Sequence, residues 1–342
     1  MSTKINNNFN LIRLLASLQV LIVHTCNHFG YDTLPIRMLK CFPGVPLFFF
    51  ISGYLIGGTY IKNHQKGLAV FFRNRALRLY PALIVCTALS VFVAFTTGYL
   101  ASVQFNVSQF FVWVVGQISF FQFYNPEFMR GYGTGVLNGA LWTIAVEIQF
   151  YLLTPIIFYL LKNRRELIFI LLILSVLVNI YIRVNPNWEL LYMKLLTVSF
   201  LPWIYMFLIG YFFSHFKQLK ENIRVINIWI VLGLYIISMI FIGSYRENAM
   251  NSINPIAVLL LSILVFKFSE ARIYLPGRIE RFIDKYDISY GIYIYHMPVI
   301  NALLFLNVFS LCTNIIVTVL LTILFAFLSW VLIERSMMRL KK

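Results

Sequence analysis

Apolar positions along the chain fall in unbroken runs. They show neither the every-third-or-fourth stripe of a surface helix nor the alternation of a half-buried strand. The runs lie near residues 11–29, 44–61, 80–100, 140–161, 167–183, 195–213, 225–243, 253–268, 288–308 and 314–333. A helix needs ~20 apolar residues to cross a ~30 Å hydrocarbon layer, and these runs approach that length. An outer-membrane barrel would instead show ~10-residue alternating strands. The pattern predicts an all-α, polytopic helical membrane protein with about ten transmembrane helices, forming a single domain over 1–342. The first run is too long for the apolar region of a signal peptide. No small-residue cleavage site precedes the polar loop at Asp32, so the run is expected to stay as a span.

Composition agrees with this class. Of the 342 residues 60% are apolar and 12% charged, and the mean hydropathy is +0.81. A soluble domain is nearer half apolar and a quarter charged, so a water-soluble fold, a disordered chain and a disulfide scaffold are all excluded. The net charge of +16 would point to nucleic acid in a soluble protein. In a membrane protein it reads as Lys and Arg enriched in cytoplasmic loops. That rule also decides the run at 107–124. If it does not cross, 22 of the 28 Lys and Arg share one side, leaving Arg37, Lys40, Arg130, Arg183, Lys194 and Arg246 on the other. If it crosses, the asymmetry largely vanishes. The expectation is a re-entrant or interfacial piece at 107–124 and both termini cytoplasmic. Cys26, Cys41, Cys86 and Cys312 lack any CxxC spacing, so no metal site and no disulfide framework is expected.

In a bilayer the informative residues are polar ones in the wrong solvent, because an intramembrane ionisable group is costly. Within the spans these are Arg13, His24, His28, Glu147 and His296. Arg13 and His24 are 11 residues apart, which places them on one helix face ~16 Å from each other. Arg13 serves equally well as a snorkelling anchor, and His24 as a histidine satisfied inside the bundle. His28, one turn on, faces water. Glu147 lies ~10 Å below the outer end of its span and His24 ~8 Å below the outer end of its own. A carboxylate level with an imidazole can orient it and stabilise its charged form, the base–orienter arrangement of acyl transfer. The competing reading is a structural hydrogen bond from Glu147 to backbone or tryptophan.

The segment 61–80, read as a cytoplasmic loop, is the most basic, with Lys62, Lys66, Arg73, Arg75 and Arg78 and no acid. Arg75 and Arg78 share a face if that stretch is helical, and two guanidinium forks suit phosphate oxygens. An anionic-lipid anchor explains the same residues. Ser52-Gly53 and Gly57-Gly58 permit close helix contact, with Ser52 a candidate for lining a cavity together with Trp142 and His296. Pro298, just after His296, is expected to loosen its helix and expose backbone carbonyls.

Five blocks together resemble the acyltransferase 3 family of integral-membrane O-acyltransferases. They are LIRLLASLQVLIVH at 11–24, GVPLFFFISGYLI at 44–56, FFRNRALRLYP at 71–81, LWTIAVEIQFYLLTP at 141–155 and SYGIYIYHMPV at 289–299. The resemblance implies transfer of an acyl group, usually acetyl from acetyl-CoA as co-substrate, to a hydroxyl of a cell-envelope glycan or lipid-linked saccharide. It implies a multi-pass protein of the bacterial cytoplasmic membrane, in contact with lipids and not nucleic acid. By resemblance His24 is the essential histidine, as general base or transient acyl carrier, and Arg13 its partner arginine. Arg75 and Arg78, with neighbouring Arg73, contact the coenzyme, and Glu147 closes the block that starts at Trp142. Ser52 or backbone near Pro298 are candidates to hold the oxyanion. Pro46, Ile148 and Tyr54 depart from the common pattern and bear on the acceptor, not the reaction class. The alternative from another class is a flippase for lipid-linked sugars. It predicts paired repeats with broken helices, and no repeat is visible in the sequence.

Overall fold

The structure, a computed structural model, describes residues 8–243 and 250–341. Among them it is helical with no β-strand. The helices are α1 (Phe9–His28), α2 (Leu34–Lys40), α3 (Gly44–Asn63), α4 (Leu68–Thr96), α5 (Tyr99–Ser102), α6 (Val107–Ile118), α7 (Trp142–Asn163), α8 (Arg165–Val184) and α9 (Leu191–Thr197). They continue as α10 (Ile204–His215), α11 (Lys217–Val225), α12 (Ile228–Phe241), α13 (Pro255–Glu270), α14 (Gly277–Lys285), α15 (Ser289–Leu306), α16 (Leu311–Ser329) and α17 (Arg335–Met338). A π-helical turn, Trp330–Glu334, joins the last two.

Seven helices among the described residues are long and apolar enough to cross a membrane, or eight if the bent pair α11–α12, with its 88° break, counts as one. The ten apolar runs therefore do not all become full-length helices. The run at 195–213 is broken between α9 and α10, and α13 spans 16 residues. The break at 198–203 keeps its backbone satisfied through side chains, the condition for irregular chain at membrane depth. Gln149 donates to Val198 O (2.8 Å) and accepts from Phe200 N (2.8 Å). Asn179 donates to Pro202 O (3.1 Å), and Ser175 accepts from Tyr205 N (3.1 Å). The piece at 107–124 forms the 12-residue α6, too short to span, followed up to α7 by chain that is irregular apart from a 3-10 turn at Glu127–Met129. Arg246, counted by sequence among the few cations of one side, lies outside the described residues.

The chain divides into two compact units, each assembled from separated segments. The first takes in Met1–Ala16, Lys40–Leu68 and Val146–Asp284. Its tightest pairing is α3 against α10. A Cβ added at Gly53 would stand 2.0 Å from Phe207 O, and one at Gly210 2.0 Å from Phe50 O. Backbone meets backbone there, the close approach that small residues permit. The second unit takes in Ser17–Leu39, Ala69–Ala145 and Lys285–Lys342. It pairs α15 with α16 and packs Trp113 and Tyr99 with Met129, Tyr132 and Leu137 of the chain between α6 and α7 in a buried cluster. Asn301 of α15 ties that chain down. It accepts from Thr134 N and Oγ1 (both 2.9 Å) and donates to Val136 O (2.8 Å) and Leu137 O (2.9 Å).

Candidate active site

In the second unit, α1 carries His24 and α15 carries His296. His24 Nδ1 lies 3.0 Å from His296 Nε2. The His296 ring is fully buried (0% exposed) while His24 is half-buried. His296 Nδ1 lies 3.3 Å from the carbonyl of Ile292, one turn back on its own helix. Tyr293 packs edge-on to His296, its hydroxyl 2.7 Å from Thr143 Oγ1. Thr143 sits next to Trp142, itself half-buried at the start of α7. His28 is exposed, as its place one turn beyond His24 predicts.

Pro298 has no N–H to offer Ile294 O, the carbonyl four residues back. That carbonyl is not left open to a cavity, as the sequence suggests. It accepts from Asn138 Nδ2 (2.8 Å) and from Cys86 Sγ (3.3 Å). The proline thus creates an acceptor that other segments of the unit use for packing.

Glu147 belongs to the first unit. Its Oε1 accepts from Ser52 Oγ of α3 (3.1 Å) and from Tyr151 Oη (2.6 Å), one turn further along α7. The structure thus gives His24 an imidazole neighbour and Glu147 two hydroxyl donors. Residue spacing singles out neither set. Arg13, half-buried, lies on the part of α1 that belongs to the first unit.

The basic segment is helical. Arg73, Arg75 and Arg78 lie on the first turns of the 29-residue α4, where sequence reading placed a loop. A helix of that length is ~44 Å long and exceeds the hydrocarbon core. Its first turns can therefore carry cations beyond the membrane. Arg73 is exposed, and Arg75 lies with its guanidinium 5.6 Å from the Phe71 ring centre. Arg78 is different. It donates to Asp287 Oδ2 (2.7 Å) and to Glu334 Oε2 (3.3 Å) and lies over the Tyr290 ring. Its side chain is 14% exposed and that of Glu334 2%.

Asp287, Glu334 and Tyr151 are the residues that sequence reasoning missed. The π-helical turn explains Glu334. A widened turn brings positions i and i+5 together, and Ser329 Oγ donates to Glu334 Oε1 at 3.2 Å. The available signal was scarcity: only 12 acidic residues exist, and Asp287 and Glu334 are among the three that directly flank apolar runs. Among the described residues no group of three or more His, Cys, Asp or Glu is placed to hold a metal ion.

The second unit thus supplies a half-buried imidazole backed by a buried one, and the first unit by itself a carboxylate held by two hydroxyls. The chain is 29% identical to "Nodulation protein 10" of Rhizobium leguminosarum bv. viciae, over 98% of this chain and 94% of that protein. It is 25% identical to the "O-acetyl transferase" of Shigella phage Sf6, over 96% of this chain and 95% of the relative. A shorter match, 30% identical, joins 40% of the chain to 24% of "O-acetyltransferase OatA" of Staphylococcus aureus (strain NCTC 8325 / PS 47). No solved structure matches. Residues 6–334 match the acyltransferase 3 domain, and the chain therefore belongs to this family of membrane acyltransferases.

Proposed function

We propose that this enzyme transfers an acetyl group from acetyl-CoA to a hydroxyl of a cell-envelope glycan or lipid-linked saccharide, with His24 as general base. The half-buried His24 ring, 3.0 Å from the fully buried His296, is the observation that carries this reading. A base must reach the proton it removes, and its ring must be fixed to do so. The name of one relative matched over nearly its whole length, the "O-acetyl transferase" of Shigella phage Sf6, favours acetyl and an oxygen acceptor.

The reaction balances without any redox partner. The acceptor oxygen attacks the thioester carbonyl as His24 takes the hydroxyl proton. The new C–O bond forms, the C–S bond breaks, and the proton on His24 passes to the leaving thiolate to give the free thiol. Coenzyme phosphates meet Arg73 and Arg75 at the start of α4, where guanidinium forks suit phosphate oxygens. In this reading the termini and the start of α4 face the cytoplasm of a bacterial cell, where acetyl-CoA is found, and the surplus of Lys and Arg in the segments on that side supports it.

The test is transfer of label from isotopically labelled acetyl-CoA to crude envelope glycan by purified protein. The expected result is labelled glycan with the parent chain and none with His24→Ala. Undiminished labelling by a well-folded His24→Ala variant overturns the assignment of the base.

A further inference from the structure

We infer that His296 is a positioning residue that fixes the tautomer of His24 through a two-imidazole chain anchored on a helix carbonyl. The inference deepens the general-base reading and rests on it. Its starting point is an oxygen that can only accept. The Ile292 carbonyl lies 3.3 Å from His296 Nδ1, so Nδ1 of His296 carries the hydrogen. A neutral His296 then has a bare Nε2. That nitrogen lies 3.0 Å from His24 Nδ1, so His24 Nδ1 carries a hydrogen and donates it. The remaining nitrogen of a neutral His24, Nε2, is left with its lone pair and no proton. The half-buried ring is thereby set to act as a base at one named atom.

The logic is that of an oriented catalytic histidine, with one change. A carboxylate usually holds the second ring nitrogen. Here the holder is a neutral imidazole with no exposed surface. Burying an uncompensated carboxylate at this depth is costly, and a neutral acceptor avoids that cost while still receiving the Nδ1 hydrogen. When His24 takes a proton, its Nδ1–H bond to His296 strengthens, because a charged donor makes the stronger hydrogen bond. The edge-on Tyr293 ring and the Tyr293–Thr143 hydroxyl pair hold the His296 ring in place. Cys86 and Asn138, on the carbonyl that Pro298 frees, hold the helix two residues away.

The experiment compares His296→Gln with His296→Leu in purified protein of matched melting temperature. Gln puts an acceptor oxygen close to where Nε2 was, whereas Leu fills the space and accepts nothing. The expected result is a fall in kcat of about 10²-fold or more for His296→Leu, the range lost when a base is mis-set. KM for acetyl-CoA stays within about twofold, and His296→Gln keeps most of the activity. If His296→Leu does not accumulate, His296→Asn takes its place, since its shorter side chain stays polar but stops short of His24. A His296→Leu or His296→Asn enzyme with unchanged kcat overturns the inference, and so does a folded Gln variant as inactive as the other two. His24→Ala, run alongside, separates the two levels. Activity retained there removes the base itself, while an inactive His24→Ala beside an unimpaired His296→Leu removes only the positioning role.

Discussion

Single residues set the arginines of the basic turns of α4 apart by their surroundings. Arg78 is locked between Asp287 and Glu334 at 2.7 and 3.3 Å, whereas Arg73 is exposed. Breaking a buried ion pair from one side leaves uncompensated charge and costs roughly 3–5 kcal/mol. Arg78→Ala should therefore lower the melting temperature of the detergent-solubilised protein sharply. Combining it with Asp287→Asn and Glu334→Gln should recover much of that loss. Arg75→Ala should leave the melting temperature within a few degrees and raise KM for acetyl-CoA about tenfold, the worth of one charge-assisted hydrogen bond. Equal behaviour of the two arginine variants in both measurements would contradict this division. At this scale the sequence was partly legible. His24, Glu147 and His296 stand out because charge inside an apolar run is expensive, and Arg78 by its spacing from Arg75 in the basic segment. Their pairings do not stand out, because nothing in a one-dimensional pattern records that His24 meets a residue 272 positions away or Arg78 one 256 away.

Helices show the same division between pattern and contact. The apolar runs locate α1, α3, α7, α8, α15 and α16 to within a few residues, since run length is set by the bilayer and is local information. The breaks were harder to see. Residues 195–213 stay apolar throughout, yet the helix stops because Gln149, Asn179 and Ser175 from other helices take over its backbone groups. Glycines of α3 and α10 carry a sharper consequence. Gly53→Ala or Gly210→Ala places a methyl group 2.0 Å from a facing carbonyl oxygen, so the helices must separate. Overpacking of this kind costs typically 1–3 kcal/mol. Each variant should melt several degrees lower than the parent, whereas Gly58→Ala, whose added carbon meets only Ser214 Cβ at 3.6 Å, should not. A Gly53→Ala protein with an unchanged melting temperature would refute the close backbone contact.

On the scale of the whole molecule, the proposed orientation has a direct readout in its cysteines. Cys26 and Cys86 are buried, Cys41 is half-buried and Cys312 is exposed at the start of α16. With the C-terminus cytoplasmic and α16 the last crossing, Cys312 faces the outside of the cell. A membrane-impermeant maleimide added to intact cells should label Cys312 in a Cys41→Ser background, and Cys312→Ser should abolish the signal. Labelling only after the cells are broken would reverse the orientation. The family membership of the chain was legible because five short blocks keep their order from residue 11 to 299. By itself the sequence determined the class of solvent around the protein, the places where helices form and the few polar groups too costly to be idle, since each of these follows from local hydrophobicity. Only the tertiary structure decided that His24 pairs with His296, that Glu147 rests on Ser52 and Tyr151, and that Arg78 is held by two acids. Those choices depend on which helix faces which, and that is fixed by packing between segments far apart in the chain.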